Sequence, residues 1–321
     1  MTSKILVCGA GGFIGHHLVT TLVEQGHYVI GADVKTPAFE ASKAQEFLQV
    51  DLRDPNCVAD CVKTDLDEIY QLAADMGGIG YIGTGDQDSD IMHNSALINL
   101  NVLHEATKKG IEKILYTSSA CIYPERNQLD PTNPYCEESS AYPADPDTEY
   151  GWEKLFSERL YLTYTKNHNI NAKVVRLHNV FGPLGSWNNG KEKAPAALCR
   201  KVAESDGSIE IWGPGTQTRS FLYIDECIKG LQKIMASNID QPVNLGSEKM
   251  ISINDLAQLI GQIAGKNTLQ INNVDGPVGV MGRTSNNKLI EELLGWRPRE
   301  DLEYGLKHTY TWIKNQVDSK E

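Results

Sequence analysis

Short, continuously apolar runs recur along the first two-thirds of the chain, each followed by a stretch with helical spacing. KILVCGA (4–10) is followed by HHLVTTLVEQG (16–26) and then YVIGAD (28–33). EIYQLAA (68–74), KILYTSSA (113–120) and AKVVRLHNVFG (172–182) repeat the pattern. Runs of Val, Ile and Leu without polar alternation read as strands buried on both faces, and the amphipathic stretches between them as crossover helices. The pattern predicts an α/β fold, a doubly wound parallel sheet of the Rossmann type. Past Gly182 the texture changes: PLGSWNNGKEKAPAA (183–197) is loop-rich and basic. RSFLYIDEC (219–227) and PVNLGS (242–247) read as returns to the sheet. The expected division is a dinucleotide-binding domain over 1–183 with returning segments near 219–247, and a smaller, interleaved substrate-binding domain over 184–321. No internal repeat interrupts this reading.

Composition narrows the function classes. A formal net charge of −12 disfavours nucleic acid, and any anionic ligand must be caught by a local basic cluster. No apolar run is long enough to span a bilayer. The start, MTSKILVCGAGG, lacks a secretory leader, so the chain is expected in the cytoplasm. Seven scattered cysteines without a CxxC pair point to reduced thiols. Cys57 and Cys61 share a helix face, but nothing nearby completes a tetrad, so no metal is expected.

Chemistry enters with the glycines. Gly9, Gly12 and Gly15 follow the first strand and open a helix, the arrangement that lets backbone amides approach a pyrophosphate at a helix N-terminus. Gly9, Gly12, Phe13, Ile14 and Gly15 are the expected contacts there. Asp33, ending the second strand, is placed to meet the adenosine ribose hydroxyls, which favours NAD over NADP even with Lys35 close by. Asp51 and Leu52, and Ala73 after the next strand, complete the expected cofactor set. Tyr150 and Lys154 are four apart at the start of a helix, so phenol and ammonium point into one space. A neighbouring cation, together with the positive charge of oxidised nicotinamide, favours the phenolate, which can take an alcohol proton as hydride leaves. Cys121, in TSSACIYP (117–124), is ambiguous on the residues alone, since a cysteine at a strand end more often packs than reacts.

Together GxxGxxG, Asp33, Ser119 and YxxxK resemble the extended short-chain dehydrogenase/reductase superfamily over essentially the whole chain. Seven stretches narrow this to a resemblance to the GDP-mannose 3,5-epimerase family. They are LAADMGGIG (72–80), SSACIYPE (118–125), EYGWEKL (149–155), RLHNVFGP (176–183), KEKAPAALCRK (191–201), QTRSFLYIDEC (217–227) and GPVGVMGR (276–283). The resemblance implies transient NAD-dependent oxidation of GDP-mannose at C4, enolate formation at the flanking carbons and re-reduction. Tyr150 and Lys154 would serve the redox steps, Ser119 the oxyanion, and Cys121 with Lys193 the proton transfers. It further implies that Gly78, Ser119, Cys121, Asn179, Lys193, Lys201, Gln217, Arg219 and Arg283 hold the nucleotide sugar. Gly77, Gly78 and Gly80 are expected to let backbone pack against the sugar ring, and Lys191 and Arg283 to depress the Lys193 pKa. Arg200 reads equally well as a surface charge and is left out of this set. Departures from the family pattern fall at Pro214, Met281 and the acidic loop 83–90. A homodimer is implied, and the competing reading is another nucleotide-sugar epimerase, most simply a UDP-hexose 4-epimerase.

Overall fold

The computed structural model describes residues 2–299 and 301–319. Seven strands form one sheet: β1 (Lys4–Cys8), β2 (Tyr28–Asp33), β3 (Glu46–Gln49), β4 (Glu68–Gln71), β5 (Lys113–Ser119), β6 (Asn171–Leu177) and β7 (Val243–Leu245). Their order is β7-β6-β5-β4-β1-β2-β3. Every neighbouring pair is parallel, with Ile5 opposite both Val29 and Glu68, and Ser119 opposite Leu177. Strand order reverses at β1, so a crevice opens beyond the carboxyl ends of β1 and β4.

Side-chain alternation decides which helices cover which face. Ile5 and Val7 pack with Leu18 and Leu22 of α1 (Phe13–Glu24) and with Ile228 and Leu231 of the helix Ile224–Met235. Leu6 and Cys8 point the other way, onto Val58 of α2 (Pro55–Cys61), Val102 of α3 (Asp88–Lys108) and Tyr161 of α4 (Glu149–Asn167). This two-sided burial is why the strands read as unbroken apolar runs. Thr148 caps α4 by accepting from the Gly151 N–H, which fixes where the YxxxK helix begins.

A separate core joins α5 (Ala194–Glu204), the parallel pair Ser208–Trp212 with Gln270–Val274, and the helices Ile253–Ile263 and Leu302–Asp318. Leu198, Leu256, Leu306 and Ile313 fill it. The chain passes through part of this region and then returns to supply β7 at the sheet's edge. Two short strands, Thr218–Ser220 and Gly282–Arg283, pair in parallel and bring Arg219 level with Arg283. Among the described residues no helix is long and apolar enough to cross a membrane. No group of three or more metal-ligating side chains occurs among them either.

Candidate active site

The turn between β1 and α1 is built around missing side chains. Gly9 adopts φ +84°, and a Cβ there would lie 2.8 Å from the Ala73 amide nitrogen. A Cβ at Gly15 would lie 2.0 Å from the Gly9 carbonyl oxygen. Gly12 is the N-cap of α1 without a side-chain cap, and no acidic residue occupies the first helical turn. The N–H groups there are left for an anion, so the cradle fits a dinucleotide pyrophosphate. Phe13 leads into α1 and stands edge-on to His17 at 5.4 Å. Ile14 packs on the core beside it.

Asp33 accepts from the Gly11 N–H at 2.9 Å and the Lys35 N–H at 3.1 Å, which holds the carboxylate beside the turn. Burial pushes its pKa up, against those two amides. Asp51 is engaged by Arg53 at 2.6 Å, which holds its carboxyl below the usual range. Leu52 is buried next to it. The Ala73 N–H donates to Gln71 Oε1, fixing the end of β4 against Gly9.

Ser119 ends β5, and its Oγ accepts from the Cys121 N–H at 3.2 Å, starting the helical turn Ala120–Ile122. The first turn of α4 lies directly on this turn, because a Cβ at Gly151 would fall 2.2 Å from the Cys121 carbonyl oxygen. Tyr150 is thereby brought to the same place as Ser119 and Cys121. Lys154 is buried behind it: its Nζ donates to the Thr117 carbonyl at 3.1 Å and lies 5.7 Å from the Tyr150 ring centre. Burial pulls the Lys154 pKa down, opposed by Glu153 and Glu158. The sequence predicts a phenolate favoured by its cation. Among the protein's own groups the opposite holds, since burial pushes the Tyr150 phenol up, with Ser119 pulling the other way.

A cavity of about 320 Å³ opens in front of these groups. Cys121, Ser119, Tyr150 and Asn179 line it. Lys193, the N-cap of α5, and Lys201 on the same helix line it too. Gln217, Arg219, Arg283 and Gly78 complete the lining, so the whole substrate set derived from the sequence faces one space. Asn179 holds φ +44° and donates to the Ser220 carbonyl at 3.0 Å. Gln217 is buried, with Nε2 on the Trp212 carbonyl at 3.2 Å and Oε1 without a partner. Arg219 reaches the Thr218 and Val280 carbonyls at 2.8 and 2.7 Å, and burial followed by repulsion from Arg283 lowers its pKa to about 10. Arg283 Nη1 donates to Cys121 Sγ at 3.1 Å.

Burial lowers the Lys193 pKa, Arg283 lowers it further, and Cys121 opposes both. Lys191 takes no part in this: its Nζ lies 3.7 Å from the Tyr81 ring centre and 3.8 Å from Asp75. Gly77, Gly78 and Gly80 line the same cavity, and two of them are also crowded by protein atoms. A Cβ at Gly78 would meet the Glu192 carbonyl oxygen at 2.3 Å, and its N–H donates to the Lys191 carbonyl at 3.0 Å. A Cβ at Gly77 would meet Tyr81. The small size of Gly78 lets this segment pack on the loop that carries Lys193, and that of Gly77 makes room for the Tyr81 ring. Arg200 is half-buried, tying Glu192, Glu204 and the Trp187 carbonyl. Asp147 and Trp212 also line the cavity. No motif marked them, because they reach the site only through tertiary packing.

The profile of the NAD dependent epimerase/dehydratase family matches residues 5–246. The chain is 45% identical to the GDP-mannose 3,5-epimerase of Arabidopsis thaliana, over 99% of this chain and 84% of that protein. It is equally similar to GDP-mannose 3,5-epimerase 1 of Oryza sativa subsp. indica, 45% identical over 99% of this chain and 83% of that one. Among solved structures, a UDP-glucose 4-epimerase of Thermotoga maritima with UDP-glucose superposes with a TM-score of 0.87 at 22% identity, covering 98% of this chain and 99% of the other. A UDP-glucuronic acid 4-epimerase of Bacillus cereus, in complex with UDP-glucuronic acid and NAD, superposes with a TM-score of 0.83 at 26% identity, covering 98% and 99%.

Proposed function

Because the chain belongs to the NAD dependent epimerase/dehydratase family, we propose that it inverts C3 and C5 of GDP-D-mannose, forming GDP-L-galactose, with GDP-L-gulose as the C5-only product. Membership gives the protein NAD as its cofactor, and with the 45% identity to proteins named GDP-mannose 3,5-epimerase makes it an isomerase. The observation that carries the finer reading is the meeting of Cys121 and Lys193, from separate segments, in one cavity with Tyr150 and Ser119.

Bound NAD supplies a reversible hydride acceptor for the sugar's C4, held by the Gly9–Gly15 turn and Asp33. Tyr150 takes the C4 hydroxyl proton and later returns it, while Lys154 supplies the adjacent positive charge. Once C4 is a carbonyl, the hydrogens on C3 and C5 become acidic, and Ser119 and Tyr150 donate to the developing oxyanion. Inversion needs one group to remove a proton and a second to return one from elsewhere. Cys121 and Lys193 fill those roles, and the lowered Lys193 pKa brings the neutral amine closer to working pH. The reading includes a homodimer in the cytoplasm. Leu100 on α3 and Trp152 and Phe156 on α4 are exposed apolar groups on the helices that would pair, and all seven thiols are free.

Turnover of GDP-mannose in heavy water tests the reading. Deuterium should appear at both C3 and C5 of the products. Products without solvent label at either carbon refute the proton transfers, and label-free inversion at C4 would make the protein a simple 4-epimerase.

A further inference from the structure

We infer that Gln128 and Asp147 are positioning residues, a clamp that aims the Arg283 guanidinium at the Cys121 sulfur. The inference rests on the reading of Cys121 as a proton-transfer group, and adds to it what holds the group ready. Gln128 is fully buried, and its amide has one orientation: Nε2 donates to the carbonyls of Tyr123 and Pro124 at 3.0 and 3.3 Å. Oε1 is therefore turned to Arg283, where it accepts from Nε at 2.5 Å. Asp147 Oδ1 takes Nη2 at 3.3 Å in an ion pair that is almost fully buried. A planar fork fixed at Nε and Nη2 has no freedom left to turn. Its remaining nitrogen, Nη1, is the one that meets Cys121 Sγ at 3.1 Å. The backbone is pinned as well, since a Cβ at Gly282 would lie 2.4 Å from the Asp130 carbonyl oxygen, in the loop that follows Gln128.

The other titratable groups facing Cys121 are Tyr150 and Lys154 from α4, Lys193 from the start of α5, Arg219 from the short strand beside Arg283, and Cys136 from the loop before α4. Among the described residues, Arg283 is the one that donates a hydrogen bond to the sulfur. A guanidinium held there sets a hydrogen-bond donor and a positive charge against the sulfur. Left unclamped, it would swing toward the nearest carboxylate or carbonyl and leave the sulfur without that donor. The clamp thus fixes the cation that Cys121 meets.

The test is the rate of Cys121 alkylation by iodoacetamide at neutral pH in the NAD-loaded enzyme, read by mass spectrometry of the Cys121 peptide, with the peptide of the half-buried Cys57 on α2 as internal control. Gln128→Leu should slow alkylation about tenfold. Asp147→Asn and Asp147→Ala remove the same charge, but only asparagine keeps an acceptor for Nη2. Slower alkylation in the alanine variant than in the asparagine variant therefore reports positioning alone. An unchanged rate in Gln128→Leu, or equal rates in the two Asp147 variants, overturns the clamp. If Gln128→Leu does not fold, the Asp147 pair decides. The reading of Cys121 fails separately: a Cys121→Ser enzyme that still incorporates deuterium at C3 and C5 would end it, whatever the alkylation rates show.

Discussion

Alanine at position 151 asks how closely the first turn of α4 must lie on Cys121. The new Cβ would stand 2.2 Å from the Cys121 carbonyl oxygen and 2.8 Å from Pro146 Cβ. Non-bonded heavy atoms settle at roughly 3.5 Å, so the two backbones must separate by about 1 Å. Helix propensity acts in the other direction, because alanine in a helix interior is favoured over glycine by about 1 kcal/mol. Overfilling a packed site costs about 1–3 kcal/mol, so the clash wins and a net loss of up to about 2 kcal/mol is expected. The effect on turnover should be larger than the effect on stability. The displaced carbonyl belongs to Cys121 and the displaced helical turn carries Tyr150, and a misplacement of about 1 Å can cost on the order of 100-fold in rate. The assay is a urea unfolding curve beside kcat on GDP-mannose, with bound NAD measured so that cofactor loss is not mistaken for misplacement. A Gly151→Ala enzyme that is more stable than the wild type refutes the steric argument. One that turns over within about threefold, less than roughly 1 kcal/mol in the barrier, refutes the catalytic one.

Lys193→Met should abolish solvent label at C3 and C5 while sugar-dependent reduction of the cofactor survives; loss of both together would make Lys193 a binding group. Arg176→Met should cost about 3–5 kcal/mol, read from the urea midpoint at constant m, because it strands Glu158 in the core. The Glu158 carboxylate now receives Arg176 at 2.8 and 3.0 Å and Ser118 at 2.5 Å, so a loss under about 1 kcal/mol would contradict that pairing. His178 is fully buried, and burial lowers its pKa to about 3 from a reference near 6.5. A folded pKa below the unfolded one means stability is complete above pH 6.5 and falls as the pH drops toward 3, by up to about 1.4 kcal/mol per unit for this one group. His178→Gln should flatten the acid limb of the stability curve by about one proton, and an unaltered slope would show that His178 is not the group titrating.

What could be seen in the sequence was whatever depends on local pattern. Six strands of the sheet announce themselves because burial on both faces favours apolar residues at most positions, and the glycine turn because only a missing Cβ clears the neighbouring backbone. The strand Glu46–Gln49 was harder to see, since it lies at the sheet's edge and is only half-buried. Tyr150 and Lys154 share a helix turn, so their partnership is written in their spacing. Contacts that close over long loops leave no such trace. Arg283 lies 162 positions from Cys121 and 155 from Gln128, and nothing in either segment encodes the other. Gly78 shows the reverse difficulty. Smallness was legible in the sequence, but not that the Glu192 carbonyl would be an atom crowding it.

The charge of −12 posed a problem for any diphosphate ligand, and the cavity lining resolves it locally. At physiological salt, charges beyond about 8 Å are largely screened, so the groups in the wall decide. Acidic groups do line the cavity, yet two of them are already committed, Asp147 to Arg283 at 3.3 Å and Glu192 to Arg200 at 3.4 Å. Lys201 and Arg219 are held differently, Lys201 Nζ on the Glu210 carbonyl at 2.7 Å and Arg219 on the carbonyls of Thr218 and Val280. Carbonyl oxygens orient a cation without cancelling its charge. Even with its pKa drawn down to about 10, Arg219 stays protonated at neutral pH. A wall of cations anchored by backbone can therefore stay positive inside an acidic protein, and the anion it attracts need not displace a carboxylate in order to bind.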